Sequence, residues 1–268
     1  MTSNTAAAGQ VSKSAAEIYD EFFVPALFGE WAGRLCDAAD VGSGMDVLDI
    51  ACGTGATTRE IASRVGPNGT VTGIDCNDGM LTVARSRAPD ISWIEGQAES
   101  LPFSDDSFDR VLCQFGLMFF EDRVKSLQQM QRVLRPGGQI ALTTWDDVTN
   151  SPGYEAMINL IDSLFGPEPA NALRAPYVLG DSKGLEYLLT VGGLNDATVS
   201  TITGTAQFAS IREWVRLDVR GWTLTDYIDD AGFEALVAAA EEKLGHFTTK
   251  DGSVTFPAPA HIAVWQQG

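Results

Sequence analysis

Val47-Leu48-Asp49-Ile50-Ala51-Cys52-Gly53-Thr54-Gly55 is the stretch whose reading decides the fold. Val47 to Ile50 is a short apolar run of the kind a buried strand shows. It feeds a loop with two glycines one residue apart. Ala56 to Val65 then has helical spacing and is stopped by Gly66-Pro67-Asn68-Gly69. Glycines let backbone approach a ligand closely, and a helix N-terminus favours a negatively charged ligand group. Val71 to Ile74 predicts a second strand, with Asp75 at its end. From there a carboxylate can accept hydrogen bonds from ribose hydroxyls.

Outward from this unit the pattern repeats. Asp78 to Arg87 predicts a helix, Ile91 to Ile94 a third strand, and Ser104 to Ser107 a polar turn. Phe108 to Cys113 follows as a fourth strand and Asp122 to Leu134 as a helix ended by Arg135-Pro136-Gly137-Gly138. Gln139 to Trp145 is a fifth strand. Strands alternating with helices imply right-handed βαβ units, with every loop that follows a strand on the carboxyl edge of a parallel sheet. Upstream, Ile18, Phe22, Leu27, Trp31 and Leu35 fall at helical spacing, and Pro25 is expected to break that segment into two helices. Past Asp147 the punctuation changes. Helices are expected over Tyr154 to Leu164, Gly184 to Thr190, Ile211 to Val219 and Phe233 to Leu244, and strands over Ala197 to Thr203 and His261 to Trp265. The expected fold is α/β: a Rossmann-like, mostly parallel seven-stranded sheet with helices on both faces and a helical lid from N- and C-terminal insertions. One domain covers 14–268, with a cofactor-binding core at 41–147, acceptor-binding elements at 148–260 and a closing strand at 261–265. Met1 to Lys13 is expected to be a frayed tail.

Acidic residues number 36 against 18 basic, a formal net charge of -18. A nucleic-acid binder needs a basic footprint to neutralise phosphates, so DNA, RNA and anionic membranes are excluded as partners. No apolar run is long enough for a membrane span, and no secretory signal opens the chain, so a cytoplasmic location is expected. The preference for Arg over Lys and for Asp among the acids suits either a high-salt protein or ordinary acidic solubility. Cys36, Cys52, Cys76 and Cys113 are dispersed without CxxC spacing, which implies neither a metal site nor a disulfide framework.

The glycine loop and Asp75 together fit a nicotinamide cofactor or S-adenosylmethionine. A GxGxxG fingerprint from Gly53 needs glycine at position 58, where this chain has Thr58. S-adenosylmethionine has no pyrophosphate and presents an amino-acid head, whose ammonium Asp49 suits. In these motifs the chain resembles the class I S-adenosylmethionine-dependent methyltransferases, close to the ubiquinone/menaquinone-biosynthesis type. Val47 to Gly55 matches the first motif and Asp75 the acidic end of the second strand. Gly96-Gln97-Ala98-Glu99-Ser100-Leu101-Pro102-Phe103 matches the adenine-side loop, Phe108-Asp109 opens the fourth strand, and Arg132-Val133-Leu134-Arg135-Pro136-Gly137-Gly138 matches the late signature. The resemblance implies a methyltransferase with S-adenosylmethionine as cofactor and S-adenosylhomocysteine as product. It places Asp49 at the amino-acid head, Ala51, Gly53 and Gly55 at the cofactor, and Asp75 at the ribose. Cys76, Met80, Gln97 and Ala98 fall at the adenine, Gln114 near the methionine portion, and Tyr19 as an aromatic closing over the cofactor. Gln97 stands where the family often has Asp, and its carbonyl oxygen offers the same acceptor.

Plainer roles compete. Paired glycines also make tight turns, Asp75 could cap a helix, and Phe115, Met118, Phe119 and Phe120 could be core rather than acceptor pocket. Cys52, Cys76 and Cys113 all fall near the carboxyl edge, so thiol alkylation is expected to weaken cofactor binding. A general base is needed only if the acceptor must lose a proton. His246, Asp146 and Asp147 are the candidates, while His261 suits a structural role. Trp31, Phe165, Tyr177, Trp214, Trp222, Tyr227 and Phe247 populate the segments expected to define the acceptor. They fit a small, partly apolar molecule, or an amine held against aromatic faces. The protein is expected to be a monomer or homodimer. A non-catalytic S-adenosylmethionine-binding protein would share every cofactor motif. A nicotinamide-dependent oxidoreductase is disfavoured by Thr58 and by Gly96-Gln97-Ala98.

Overall fold

Seven strands pair in the order β3-β2-β1-β4-β5-β7-β6 in the computed structural model, which describes residues 13–221, 224 and 226–268. Residues 1–12 of the expected tail, and Trp222, lie outside the described residues. β1 (Asp46–Ile50) pairs in parallel with β2 (Thr70–Asp75) and with β4 (Phe108–Gln114). β3 (Ser92–Glu95) extends the sheet beyond β2, and β5 (Leu134–Trp145) beyond β4, both in parallel. β7 (Val254–Gln266) runs antiparallel between β5 and β6 (Thr198–Phe208). The strand expected to close the sheet at 261–265 is therefore longer and internal, and β6 forms the edge.

Both faces are covered, which explains why the central strands read as continuous apolar runs rather than alternating ones. Val47 packs into the core on one face, while Leu48 and Ile50 pack into the core on the other. The helices α3 (Ala56–Val65) and α4 (Asp78–Arg87) have the bounds the sequence predicts. α5 (Arg123–Val133) adds Leu127 and Met130 to the second core, as does α8 (Ser182–Val191) with Leu185 and Leu189. The first core receives α2 (Gly29–Ala38), α6 (Pro152–Phe165), α9 (Ile211–Arg220) and α10 (Asp230–Lys243). A further helix, α7 (Pro167–Arg174), was hidden by its punctuation. Gly166, at φ 87°, ends α6, and Pro167 starts α7 within the same turn. Among the described residues no helix is long and apolar enough to cross a membrane.

Pro25 does not break the N-terminal segment. α1 (Lys13–Ile18) runs into a π-helix (Tyr19–Phe28) that contains Pro25 and continues into α2. Proline removes one N–H from the ladder, and the wider turn absorbs the defect: the Gly29 N–H donates to the Val24 carbonyl five residues back.

Arg135, from the segment after α5, explains the late signature at the amino edge. Its guanidinium reaches Asp46 and Asp109, each at 2.9 Å. Asp109 also accepts from the Asp46 N–H at 2.8 Å. The starts of β1 and β4 are thus pinned through one cation. His261 does the same for the antiparallel half. It is 1% exposed; Nδ1 lies 2.9 Å from the Thr201 hydroxyl and Nε2 2.9 Å from the Gly180 carbonyl. The carbonyl can only accept, so Nε2 donates to it, and the Thr201 hydroxyl, which can donate or accept, meets Nδ1. His261 is structural, as its position in a strand suggested. Replacing it by Ala leaves the buried Gly180 carbonyl unpartnered and opens a cavity. His261→Ala is expected to lower stability by about 2–4 kcal/mol in chemical denaturation and to leave cofactor affinity unchanged.

Candidate functional site

Strand order reverses between β1 and β4, so the loops that leave their carboxyl ends diverge and open a crevice there. Both loops carry backbone strain. Ala51, just past β1, has φ 54°, and Phe115, just past β4, has φ 53°. A left-handed conformation is uncommon for a non-glycine residue and costs of order 1–3 kcal/mol. Phe115 is held in it because its N–H donates to the carbonyl and the hydroxyl of Thr143, at 3.1 and 3.0 Å.

The glycine loop between β1 and α3 is shaped by what lies around it. Gly53 has φ 55°, and a side chain added there would meet open space on the crevice side. Gly55, at φ 84°, caps α3, and a Cβ there would collide with the indole of Trp93. Trp93 enters from β3 and also fills the space above Gly73 in β2. A glycine inside a strand marks such close approach. That was the available signal for Trp93, which the motif reading did not single out.

Two carboxylates end the central strands. Asp49 is 1% exposed in β1; its Oδ2 accepts from the Thr58 hydroxyl at 2.5 Å, and its Oδ1 has no partner among the described residues. Burial pushes its carboxyl up to about 7; the Thr58 hydrogen bond lowers it, and the nearby Asp75 charge raises it. Thr58, which departs from the dinucleotide fingerprint, thus has its own function in holding Asp49. Asp75 is part-buried and binds both neighbouring loops. One oxygen accepts from the Gly53 N–H and the other from the Asn77 N–H, each at 2.8 Å. Burial raises this acid as well, against the pull of those N–H groups. Asp75 is not the cap of α4: Asn77 is, accepting from the Met80 N–H at 3.1 Å.

Tyr19 lies close enough to Asp75 to feel its charge. Its phenol is raised above the usual range by burial first, and then by the charges of Asp75 and Asp20. It packs against the small cluster of Ala16, Met80 and Val83, so α1 and the start of the π-helix close onto α4. Asp20, whose side chain is 6% exposed, holds the segment down through Arg87 at 2.8 Å and Arg59 at 3.4 Å. Arg59 also donates to the Thr54 carbonyl in the glycine loop at 2.7 Å. No motif marks Asp20, Arg59 or Arg87; only the packing of the N-terminal segment brings them together.

The remaining expected site residues fall as follows. Met80 and Ala98 are buried, whereas Cys76 and Gln97 are exposed on the same edge. Gln114, at the end of β4, donates to the Phe28 carbonyl at 3.3 Å, and its buried Oε1 has no partner among the described residues. Phe115 and Met118 belong to the core, with Phe115 stacked on Trp145 at 3.9 Å between ring centroids. Cys52 and Cys113 are buried and their thiols are driven up by burial, so alkylation reaches Cys76 first and not all three alike. His246 is exposed with its ring against Phe247 at 4.1 Å. Asp146 takes the Asp147 N–H and the Asn150 amide, and it lies 3.4 Å from His261. Asp147 takes the backbone and hydroxyl of Thr149.

Residues 47–138 match a family model described as a methyltransferase domain. The chain is 41% identical over 126 residues to the ubiquinone/menaquinone biosynthesis C-methyltransferase of Hahella chejuensis, covering 45% of this chain and 51% of that protein. Against the demethylmenaquinone methyltransferase of Staphylococcus carnosus it is 30% identical over 187 residues, covering 65% of this chain and 78% of that one. The chain thus spans about half the length of the Hahella relative and more of the Staphylococcus one. In fold it resembles the crystal structure of a putative methyltransferase from an antibiotic biosynthesis pathway of Anabaena variabilis. The TM-score is 0.63 at 19% identity, over 87% of this chain and 96% of that one. These likenesses, with the glycine loop, the two carboxylates and the strand order, show that the chain belongs to the class I S-adenosylmethionine-dependent methyltransferase family, of the ubiquinone/menaquinone-biosynthesis kind.

Proposed function

We propose that the protein transfers a methyl group from S-adenosylmethionine to a small, partly apolar acceptor, of the flat ring type that its relatives' names point to. The observation that carries this reading is the unpartnered Oδ1 of Asp49, buried at the floor of the glycine loop. A desolvated carboxylate oxygen with no partner is costly unless a ligand supplies one. The ammonium of the cofactor's amino-acid head does so, directly or through water. Gly53 leaves room for that head, and the backbone of Ala51 and Gly55 frames it. Asp75 has accepting positions left after binding Gly53 and Asn77, which suits ribose hydroxyls. Met80, Cys76, Ala98 and Gln97 would line the adenine, with Gln114 toward the methionine chain and Tyr19 as the cover.

When bound, the cofactor supplies a methyl already activated by its sulfonium. What remains for the protein is positioning and exclusion of water, which can contribute up to about 7–11 kcal/mol. The helices inserted after β5 and β6 serve as the acceptor-binding elements and, with the N-terminal segment, as the lid. His246, Asp146 and Asp147 stay candidates for a base should the acceptor lose a proton.

Calorimetric titration with S-adenosylmethionine, S-adenosylhomocysteine and NADH tests the reading. The two adenosyl ligands are expected to bind and NADH not, with Asp75→Ala weakening binding at least tenfold. Binding of NADH alone would overturn it.

The state of Asp49 gives a second expectation. In the folded protein this acid holds its proton until about pH 7, whereas unfolded it ionises near 4. Between those values the native state binds the extra proton, so this group's contribution to stability falls as pH rises through the window. An ammonium ligand reverses the preference by favouring the carboxylate. Affinity for S-adenosylmethionine is therefore expected to rise up to about tenfold per pH unit between pH 5.5 and 7, with a proton released on binding. Titrations in buffers of different ionisation heat read that proton, and Asp49→Asn is expected to flatten the slope.

A further inference from the structure

One acid ties the N-terminal segment to both helices that leave the crevice. Asp20 follows Tyr19 on the π-helix, and its side chain is almost fully buried. Each carboxylate oxygen takes a different arginine: Oδ1 meets Arg59 of α3 at 3.4 Å, and Oδ2 meets Arg87 of α4 at 2.8 Å. α3 opens from the glycine loop after β1, and α4 from the loop after β2. Asp20 therefore spans the helices behind the same two loops that Asp75 joins. Without its cations it would be a desolvated, uncompensated acid. Both arginines stay partly exposed, at 33% and 53%, so salt reaches the pairs.

The two arginines are not equivalent. Arg87 is the last residue of α4, where the helix dipole favours a cation. Arg59 is the fourth residue of α3, near the end where the dipole disfavours one. Local helix design gives no reason for a cation there. What the position supplies is reach. One nitrogen of the guanidinium donates to the Thr54 carbonyl at 2.7 Å, and the other faces Asp20. Thr54 lies between the two glycines of the loop, and Thr58, beside Arg59 in α3, holds Asp49. The planar fork of arginine suits this double contact, which the point charge of a lysine could not span.

We propose that Asp20 and Arg59 are positioning residues: Asp20 is an ionic latch on the N-terminal segment, and Arg59 relays its closure to the glycine loop through the Thr54 carbonyl, so that the latch governs how fast the adenosyl cofactor leaves. The inference rests on the reading under Proposed function, in which Tyr19 covers the cofactor, and adds what holds the cover and what it acts upon. Opening the segment separates Asp20 from both cations. Arg59 is then uncompensated at the helix end and turns toward solvent, which frees the Thr54 carbonyl and loosens the loop. Closing restores both contacts. Neither residue touches the reacting methyl; they act through Tyr19 and the loop. Because the pairs are open to ions, salt weakens the latch and speeds release.

Two measurements on the full chain test this. In the first, release of radiolabelled S-adenosylhomocysteine is timed after a chase with excess unlabelled ligand, at low and at high KCl. Wild-type release is expected to be about 3–10-fold faster at about 1 M than at about 0.05 M salt. Asp20→Asn and Arg59→Gln are each expected to release about tenfold faster at low salt and to lose the salt dependence, with the double variant no faster than either. Arg87→Gln, which leaves the relay in place, is expected to have a smaller effect. A role in fold stability alone would lower Tm and leave release unaltered. In the second, hydrogen exchange is followed in the cofactor-free protein, where Asp20→Asn is expected to speed exchange both in Tyr19–Phe28 and in residues 52–55. Release that ignores salt in the wild type, or is unaltered by Asp20→Asn, overturns the latch. Faster exchange in the π-helix alone overturns the relay. Failure of S-adenosylhomocysteine to bind counts against the cofactor reading instead, and the exchange measurement still decides whether the segment and the loop are coupled.

Discussion

The Asp75 carboxylate takes the N–H of Gly53 on one oxygen and that of Asn77 on the other, and most of the crevice depends on that pair of bonds. They fix the glycine loop after β1 against the end of β2 and set the first turn of α4, whose own cap is Asn77. Asp49 lies one strand away and feels the same charge. Two acids at one sheet edge repel, and the backbone dipoles around Asp75 keep the arrangement folded. The loop geometry that results leaves Asp49 Oδ1 unpartnered and Gly53 facing open space. Trp93 supports the loop from below, which is why Gly55 and Gly73 admit no side chain.

Around that edge the fold gathers backbone strain and unsatisfied polarity. Ala51 and Phe115 hold left-handed backbone at the two strands that flank the switch in strand order. Asp49 and Asp218 are both buried acids without a cationic partner among the described residues, but Asp218 has the side chains of Trp214 and Tyr154 beside it. Structural polar groups behave differently. His261 and Arg135 have their polar atoms engaged and tie strands together. The contrast between satisfied and orphaned buried groups separates scaffold from site more sharply than residue type does.

The N-terminal segment shows how local rules yield to packing. Proline should end a helix, yet Pro25 lies within continuous helical backbone because a π-turn passes the missing N–H. What holds the segment is tertiary: Tyr19 against Met80, and Asp20 between Arg59 and Arg87. An acid net charge of -18 is therefore not uniformly solvated, since several of its carboxylates are consumed in such internal ties.

By itself the sequence determined the parallel half of the sheet, the bounds of α3 and α4, and the carboxylates at the ends of β1 and β2. Those features are encoded locally, by apolar runs, glycine pairs and helix stops a few residues apart. It did not determine the position of β7 between β5 and β6, the helix α7 behind its Gly166-Pro167 break, or the continuity across Pro25, because pairing partners and packing surfaces are remote along the chain. The reading of Ile211 to Val219 as a helix already contained a clue to Asp218: an acid at an inward position of an amphipathic stripe. Only the tertiary structure decided that this acid is buried against Tyr154, since α6 and α9 are remote along the chain and meet through packing alone.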